Sequence, residues 1–241
     1  MRIAVISDIH GNMTALDAVV ADLKTVGADL VVHGGDLAAN GSRPDEVIDS
    51  IRAFGWRGVR GNTDEMLWRP ELREELLHKH PSRHGLRQVL FNECAPATRE
   101  LIGDARLNWL RTQPTQRQAE GIAVMHASPG DLWRAPLIDA TDAELIAVFG
   151  SLHADTVVYG HIHRPFLRRL GHLVVANSGS VSLSYDGDQR AAYFLYDDGA
   201  VAVRRVAYDI EQEVKELHSV GYPRAEWLST ILRSGTYVPP F

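Results

Sequence analysis

Three short apolar runs, each stopped by glycine or a polar residue and separated by helix-patterned segments, fill the first 65 residues of this 241-residue chain. Residues 2–6 form a β-branched run that ends at Ser7 and Asp8, as a buried parallel strand does. Residues 12–26 place Leu16, Val19, Val20 and Leu23 at helical spacing, with Gly27 as the stop. A second strand at 29–33 is closed by Gly34 and Gly35. Ser42, Arg43, Pro44 and Asp45 predict an N-cap with proline in the first turn of a helix reaching about Phe54. A third strand at 56–60 ends at Gly61. Strand and helix in strict alternation specify a parallel α/β sheet.

The character changes after that. Residues 66–118 are rich in Arg, Glu and His, with helical patterning at Leu72, Leu76 and Leu77 and again at Leu101, Leu107 and Leu110. They read as a helical cap inserted into a single domain spanning 1–241. Strands return at 122–125 and 156–159, with a helix between them at 140–149. From Leu173 to Tyr208 strands and turns dominate, and Asp198-Gly199 signals a hairpin. Two helices are expected before the closing Pro239-Pro240.

Composition narrows the function. One cysteine, Cys94, excludes a disulfide framework and a cysteine-based zinc site. The net charge of −6 argues against binding nucleic acid or anionic membranes through bulk charge. The first apolar stretch, Ile3 to Ile6, is too short for a signal peptide or a membrane helix, which predicts a soluble cytoplasmic protein. Against this plain background stand 11 histidines.

Their placement carries the functional reading. Five apolar strands end in residues of metal-ligand type, mostly beside glycine: Asp8-Ile9-His10-Gly11, Gly35-Asp36, Gly61-Asn62, His126 and Gly160-His161-Ile162-His163. In an open α/β sheet the carboxyl ends of the strands form the ligand crevice, so these segments are expected to converge on one edge. Alternation along an extended backbone would put both residues of each Asp-x-His and His-x-His pair on one side. Taken singly, an Asp at a strand end is more often a cap, a His more often an interior residue and Gly-Asn a turn. Five such ends in order make a metal site the better reading.

The set resembles the calcineurin-like metallophosphoesterase superfamily, with its motif series D-x-H, G-D, G-N, H and G-H-x-H. The likeness is nearest to the small bacterial and archaeal phosphodiesterases, which carry a segment like Asn177-Ser178-Gly179-Ser180-Val181 after the last histidine pair. The resemblance implies an α/β fold, a four-layer αββα sandwich of two mixed β-sheets flanked by helices. It also implies two divalent metal ions, one held by Asp8, His10, Asp36 and His163 and the other by Asp36, Asn62, His126 and His161, with Asp36 bridging. Imidazole and carboxylate donors suit Mn, with Fe, Zn or Ni as alternatives, and no thiolate is offered. Two such ions outweigh the two carboxylates Asp8 and Asp36, so the centre stays positive and favours a phosphate anion. Two metals can activate water and stabilise the entering and leaving oxygens.

One position departs from the family pattern. Many relatives carry a histidine directly after Gly-Asn, where it serves as proton donor; here the residue is Thr63, followed by Asp64 and Glu65. A general acid is typically worth roughly 10²–10⁴-fold, so a substrate with a good leaving group depends least on its absence. Asp64 is a candidate to orient a ligand or relay protons, or simply a helix cap. Asn12, Arg60 and Arg164 flank the ligand motifs and are candidate phosphate contacts. His33 is expected inside its strand, facing a helix. The His78, His80 and His84 cluster reads as a solvated helix end terminated by Pro81 rather than a second metal site. Trp68, Trp109 and Trp133 either line a substrate cleft or pack the cap on the body.

The expected activity is hydrolysis of a small-molecule phosphodiester by attack of metal-bound hydroxide, with no membrane and no bulk nucleic-acid partner. Alternatives are a phosphomonoesterase or phosphoprotein phosphatase, a dinucleoside polyphosphate hydrolase, or a non-catalytic scaffold of the same fold.

Overall fold

The computed structural model describes residues 1–79 and 83–241; His80 and Pro81 of the histidine cluster lie outside them. Two five-stranded mixed sheets stack face to face. In the first, β1 (Arg2–Ile6), β2 (Leu30–His33) and β3 (Arg57–Gly58) are parallel, and β9 (Ala191–Asp197) and β10 (Ala200–Val206) extend it antiparallel from β1. In the second, β5 (Ile122–Met125), β6 (Thr156–Tyr159) and β8 (Leu173–Asn177) are parallel. Antiparallel β4 (Gln116–Ala119) and β7 (Phe166–Leu170) form its edges.

The apolar runs explain the stacking. Ile3, Val5, Val32 and Phe194 of the first sheet meet Ile122, Val124, Val158 and Ala176 of the second in a dry inter-sheet layer. The alternate residues of the same strands face outward onto helices, which is why these strands read as continuous apolar runs. Ala4, Ile6 and Val31 pack with α1 (Met13–Val26) and α2 (Pro44–Ala53). Ala123, Met125, Val157 and Val175 pack with α7 (Asp142–Phe149). The result is the four-layer αββα sandwich. His33 lies, as its register requires, on the helix side of β2, 6.2 Å from the Trp109 ring.

Between β3 and β4 runs a helical segment: α3 (Asn62–Glu65), α4 (Leu72–Lys79), α5 (His84–Val89), a π-helical turn at Leu90–Cys94, and α6 (Ala95–Arg111), which breaks at Gly103. It ends earlier than residue 118, because Gln116–Ala119 are claimed by the edge of the second sheet. The third strand shrinks to Arg57–Gly58 because the chain then leaves β2, with the Arg60 amide donating instead to the Pro114 carbonyl. β7 gives no apolar signal because it is an edge strand: Leu167 and Arg169 share its exposed face, while Arg168 on the other face donates to the Ile138 carbonyl. Ser42 makes no cap; its hydroxyl is buried without a partner, and α2 starts on Pro44 with Asp45 and Glu46 complementing its dipole. Among the described residues, no helix is long and apolar enough to cross a membrane.

The closing helices α8 (Ile210–Ser219) and α9 (Ala225–Ser234) brace the loop that follows β2. Glu213, 1% exposed, accepts from the Ser42 amide at 3.2 Å and from the Thr14 hydroxyl at 3.2 Å. The Tyr222 hydroxyl accepts from the Asn40 amide at 2.8 Å. Burial pushes the Glu213 carboxyl from 4.5 up to about 7 despite these bonds. A raised carboxyl favours the protonated folded state, so its contribution is present below pH 4.5 and lost as pH rises through about 7. Glu213→Gln is therefore expected to gain stability over wild type between pH 5 and pH 8, by up to roughly 3 kcal/mol. Urea unfolding at both pH values measures this, and a difference that does not change with pH contradicts it.

Candidate metal centre

All seven strand-end residues come together at the seam between the two sheets. Asp8 and His10 follow β1, Asp36 follows β2 and Asn62 opens α3 after β3; His126 follows β5, and His161 and His163 follow β6. The first sheet thus supplies four residues and the second three. Across the seam, His163 Nε2 lies 3.1 Å from Asp8 Oδ1, while His126 Nε2 and His161 Nδ1 each lie 2.8 Å from Asn62 Oδ1. Asp36 Oδ2 stands between the groups, 3.8 Å from His10 Nε2 and 3.5 Å from His126 Nε2. Among the described residues, Asp8, His10 and His163 form one candidate metal cluster and Asp8, Asp36 and His126 another.

The ligand segments are not extended, contrary to the alternation expected from Asp-x-His and His-x-His. Asp8, His10, Asp36, His161 and His163 all have left-handed backbones, with φ of 56°, 50°, 53°, 66° and 54°. Each such residue costs on the order of 1–2 kcal/mol. The turns are fixed by hydrogen bonds running on past the strand ends: Asp8 N to Gly35 O at 3.0 Å, His10 N to Asp36 O at 2.9 Å and Gly11 N to Leu37 O at 2.8 Å. Glycine is needed where the loops touch. A Cβ on Gly61 would stand 2.0 Å from Asp36 Oδ1, and one on Gly160 would stand 2.3 Å from Asp8 Oδ2.

Ring orientation decides what the centre can hold. His10, His126 and His163 each donate Nδ1–H to a carbonyl, of Ala39 at 2.7 Å, Gly34 at 2.9 Å and Leu183 at 2.5 Å. A carbonyl only accepts, so in the neutral rings Nε2 carries a lone pair aimed into the centre. The Nε2 atoms of His10 and His163 face each other at 3.3 Å, a spacing that two lone pairs do not hold without a cation. Burial lowers His10, and together with the neighbouring His126 it holds His161 down to about 3, whereas at His126 burial is outweighed by the carboxylates, Asp36 foremost, which raise it. Burial works against ionised Asp8, but the surrounding imidazoles, His163 foremost, hold its carboxyl below the ordinary range. Carbonyl-anchored imidazoles converging on two carboxylates are the donor set a divalent metal needs.

Asp64 is a positioning group beneath this centre. Fully buried, it accepts from the amides of Asp36 at 2.9 Å, Leu37 at 2.9 Å and Gly61 at 3.0 Å, tying the β2 loop to α3. Burial and the Asp36 charge push it up to about 6. Thr63 in turn donates its amide to Asp36 Oδ1 at 2.8 Å. Asn12 is engaged as a buried cap, accepting from Ala15 N at 2.8 Å and donating to Ser182 Oγ at 3.1 Å. Arg60 donates to the Gln113 carbonyl at 2.8 Å and Arg164 to the Tyr185 carbonyl at 2.9 Å. The supports that sequence reasoning missed are mostly backbone carbonyls, which carry no sequence signal. Two side chains could have been found: Ser180, whose hydroxyl donates to Asp8 O at 2.8 Å, and Asn177, which donates to Gly160 O at 2.5 Å, both in the Asn-Ser-Gly-Ser segment.

Asp64→Asn replaces one acceptor oxygen by an NH₂ facing backbone N–H donors. It is expected to cost roughly 2–4 kcal/mol in denaturant unfolding and to weaken metal binding, because Asp36 and Asn62 lose their common anchor. Adding Mn²⁺ to metal-free protein is expected to raise Tm, with about 2.7 kcal/mol of stabilisation at a hundredfold excess over Kd. Calorimetry checks this, and His163→Ala should abolish most of the shift.

Residues 1–199 match the family model of the calcineurin-like phosphoesterase superfamily domain. An uncharacterized protein of Methanocaldococcus jannaschii is 29% identical over 256 aligned positions, covering 97% of this chain and 98% of that protein. The fold superposes on a metallophosphoesterase from Sphaerobacter thermophilus with a TM-score of 0.79 and 24% identity, covering 98% of this chain and all of the other. A hypothetical protein from Pyrococcus horikoshii gives a TM-score of 0.80 at 20% identity, covering 98% of this chain and 99% of that one. With the motif order, the two-sheet seam and the match over most of its length, the chain belongs to the calcineurin-like phosphoesterase superfamily.

Proposed function

We propose that this protein is a cytoplasmic, binuclear metal-dependent phosphoesterase that hydrolyses small-molecule phosphodiesters. In this reading residues 66–118 cap a single domain. The observation that carries it is the convergence of seven donors from two sheets with imidazole lone pairs directed inward. Mn²⁺ ions, with Fe, Zn or Ni as alternatives, would be held by Asp8, His10, Asp36 and His163 and by Asp36, Asn62, His126 and His161. When bound, they supply an activated water and positive charge for the phosphoryl oxygens.

The chain's own residues set the rest. Asp36 lies between the two donor groups, and its second oxygen is held by the Thr63 amide, which keeps the carboxylate from rotating away. The carbonyls of Ala39, Gly34 and Leu183 fix ring tautomers, so protonation of an imidazole competes with ligand binding. Arg60 and Arg164 each donate one N–H to a backbone carbonyl, which orients the guanidinium and leaves its charge in place.

Mn²⁺-loaded protein is expected to hydrolyse bis(p-nitrophenyl) phosphate. Asp36→Asn should reduce kcat/KM by roughly a hundredfold or more with the circular dichroism spectrum unchanged. A variant as active as wild type overturns the bridging assignment. No turnover with any of the four metals overturns the reading itself.

A further inference from the structure

The Leu183 carbonyl fixes the tautomer of His163, but a single hydrogen bond does not stop the ring tilting about its N–H···O line. The Tyr185 ring blocks that tilt. It lies against the His163 face, with centroids 4.4 Å apart and planes at 13°. Among the described residues, His163 is the one donor imidazole stacked on an aromatic side chain outside the donor set. His10 meets His163 at a tilt of 43°, and His126 meets His161 edge-on. The backbone seats Tyr185 in this place: its amide donates to the His163 carbonyl at 3.1 Å, and its carbonyl accepts from Arg164 Nε at 2.9 Å.

A third ring backs the stack from beyond α9. Tyr237 meets Tyr185 edge-on, with centroids 5.4 Å apart and planes at 72°. Its segment is sewn to the loop that carries Tyr185. The Gly187 amide donates to the Gly235 carbonyl at 2.8 Å, and the Gln189 side chain donates to the Arg233 carbonyl. One residue after Tyr237, the Val238 carbonyl accepts from the Trp227 indole at 2.8 Å. Phe241 packs on a different surface, 4.8 Å from the Arg224 guanidinium and beside Gly85 of α5, where an added Cβ would meet its ring at 3.1 Å. Tyr237 is half-buried, whereas Phe241 is 71% exposed. Both lie beyond residues 1–199, the extent of the family match.

We propose that Tyr185 and Tyr237 are positioning residues for His163, an assignment that rests on the metal-dependent reading above. Together they brace its Nε2 towards the ion it would share with Asp8, His10 and Asp36. Neither tyrosine is itself a ligand. His163 Nε2 stands 3.1 Å from Asp8 Oδ1 and 3.3 Å from His10 Nε2, so a tilted ring would carry its lone pair away from both partners. An aromatic pair shifts an equilibrium by roughly two- to tenfold, and the two contacts act in series on one ring. Among the described residues, neither His126 nor His161 has a ring contact with either tyrosine, so the bracing bears on the Asp8, His10 and His163 cluster.

The test titrates Mn²⁺ into the metal-free full chain by isothermal calorimetry. Tyr237→Ala and Tyr185→Leu are expected to raise Kd by roughly three- to tenfold, while Tyr237→Phe, which keeps the ring, matches wild type. Phe241→Ala, which disturbs the same segment away from Tyr185, should leave Kd unchanged. A second readout needs no metal. In the metal-free protein, the imidazole C–H resonance that vanishes in His163→Ala should move in Tyr237→Ala and stay in place in Phe241→Ala. A wild-type Kd in Tyr237→Ala overturns the assignment, as does an unmoved His163 resonance or an equal loss of affinity in Phe241→Ala. If wild type takes up none of Mn²⁺, Fe²⁺, Zn²⁺ and Ni²⁺, the metal-dependent reading fails and the assignment with it. Uptake with the expected variant effects, but without cleavage of bis(p-nitrophenyl) phosphate, upholds the positioning role and sinks the phosphodiesterase activity alone.

Discussion

The structure depends on holding five consecutive-pattern polar residues in a backbone conformation they disfavour. Asp8, His10, Asp36, His161 and His163 are all left-handed, which together amounts to several kcal/mol of local strain. What offsets it is a lattice of hydrogen bonds beyond the strand ends: the β1 loop bonds to the β2 loop, and Asp64 clamps the β2 loop to α3. The segment from Asn177 to Val181 bonds back to Ser7 and Asp8. A left-handed turn aims its side chain where an extended residue cannot, so donors from different strands meet at one point instead of ranking along the sheet edge.

Much of this was legible in the sequence. The apolar runs announced β1, β5 and β6 because residues buried on both faces leave no polar alternation, and the motif order placed the seven donors at strand ends. The conformation of the donors was not legible, since Asp and His tolerate both extended and left-handed backbone and spacing alone does not separate the two. Edge strands are hidden for a related reason: on one face β4 exposes Gln116 and Gln118 and β7 exposes Leu167 and Arg169, so neither reads as a continuous apolar run. Asp64 looked like a cap or a relay. Its role as an acceptor for two separate loops depends on contacts 27 and 28 residues apart in the chain.

The histidines divide by what their second nitrogen does. His10, His126 and His163 anchor one nitrogen to a carbonyl and leave the other facing the centre. His33 sits only two residues from Gly35, yet both its ring nitrogens are buried without partners, and burial holds it down to about 3. It stays neutral against Trp109 and behaves as a core residue. Chemical identity is the same in all four; the carbonyl partner separates a donor from a spacer.

The division of the centre between two sheets also bears on how the molecule assembles. Neither sheet alone carries the whole set of candidate donors, so metal capture by that set would coincide with closure of the inter-sheet layer around Val5, Val124 and Val158. A bound ion would act as a rivet through that layer, and its dissociation rate would report on how often the two sheets part.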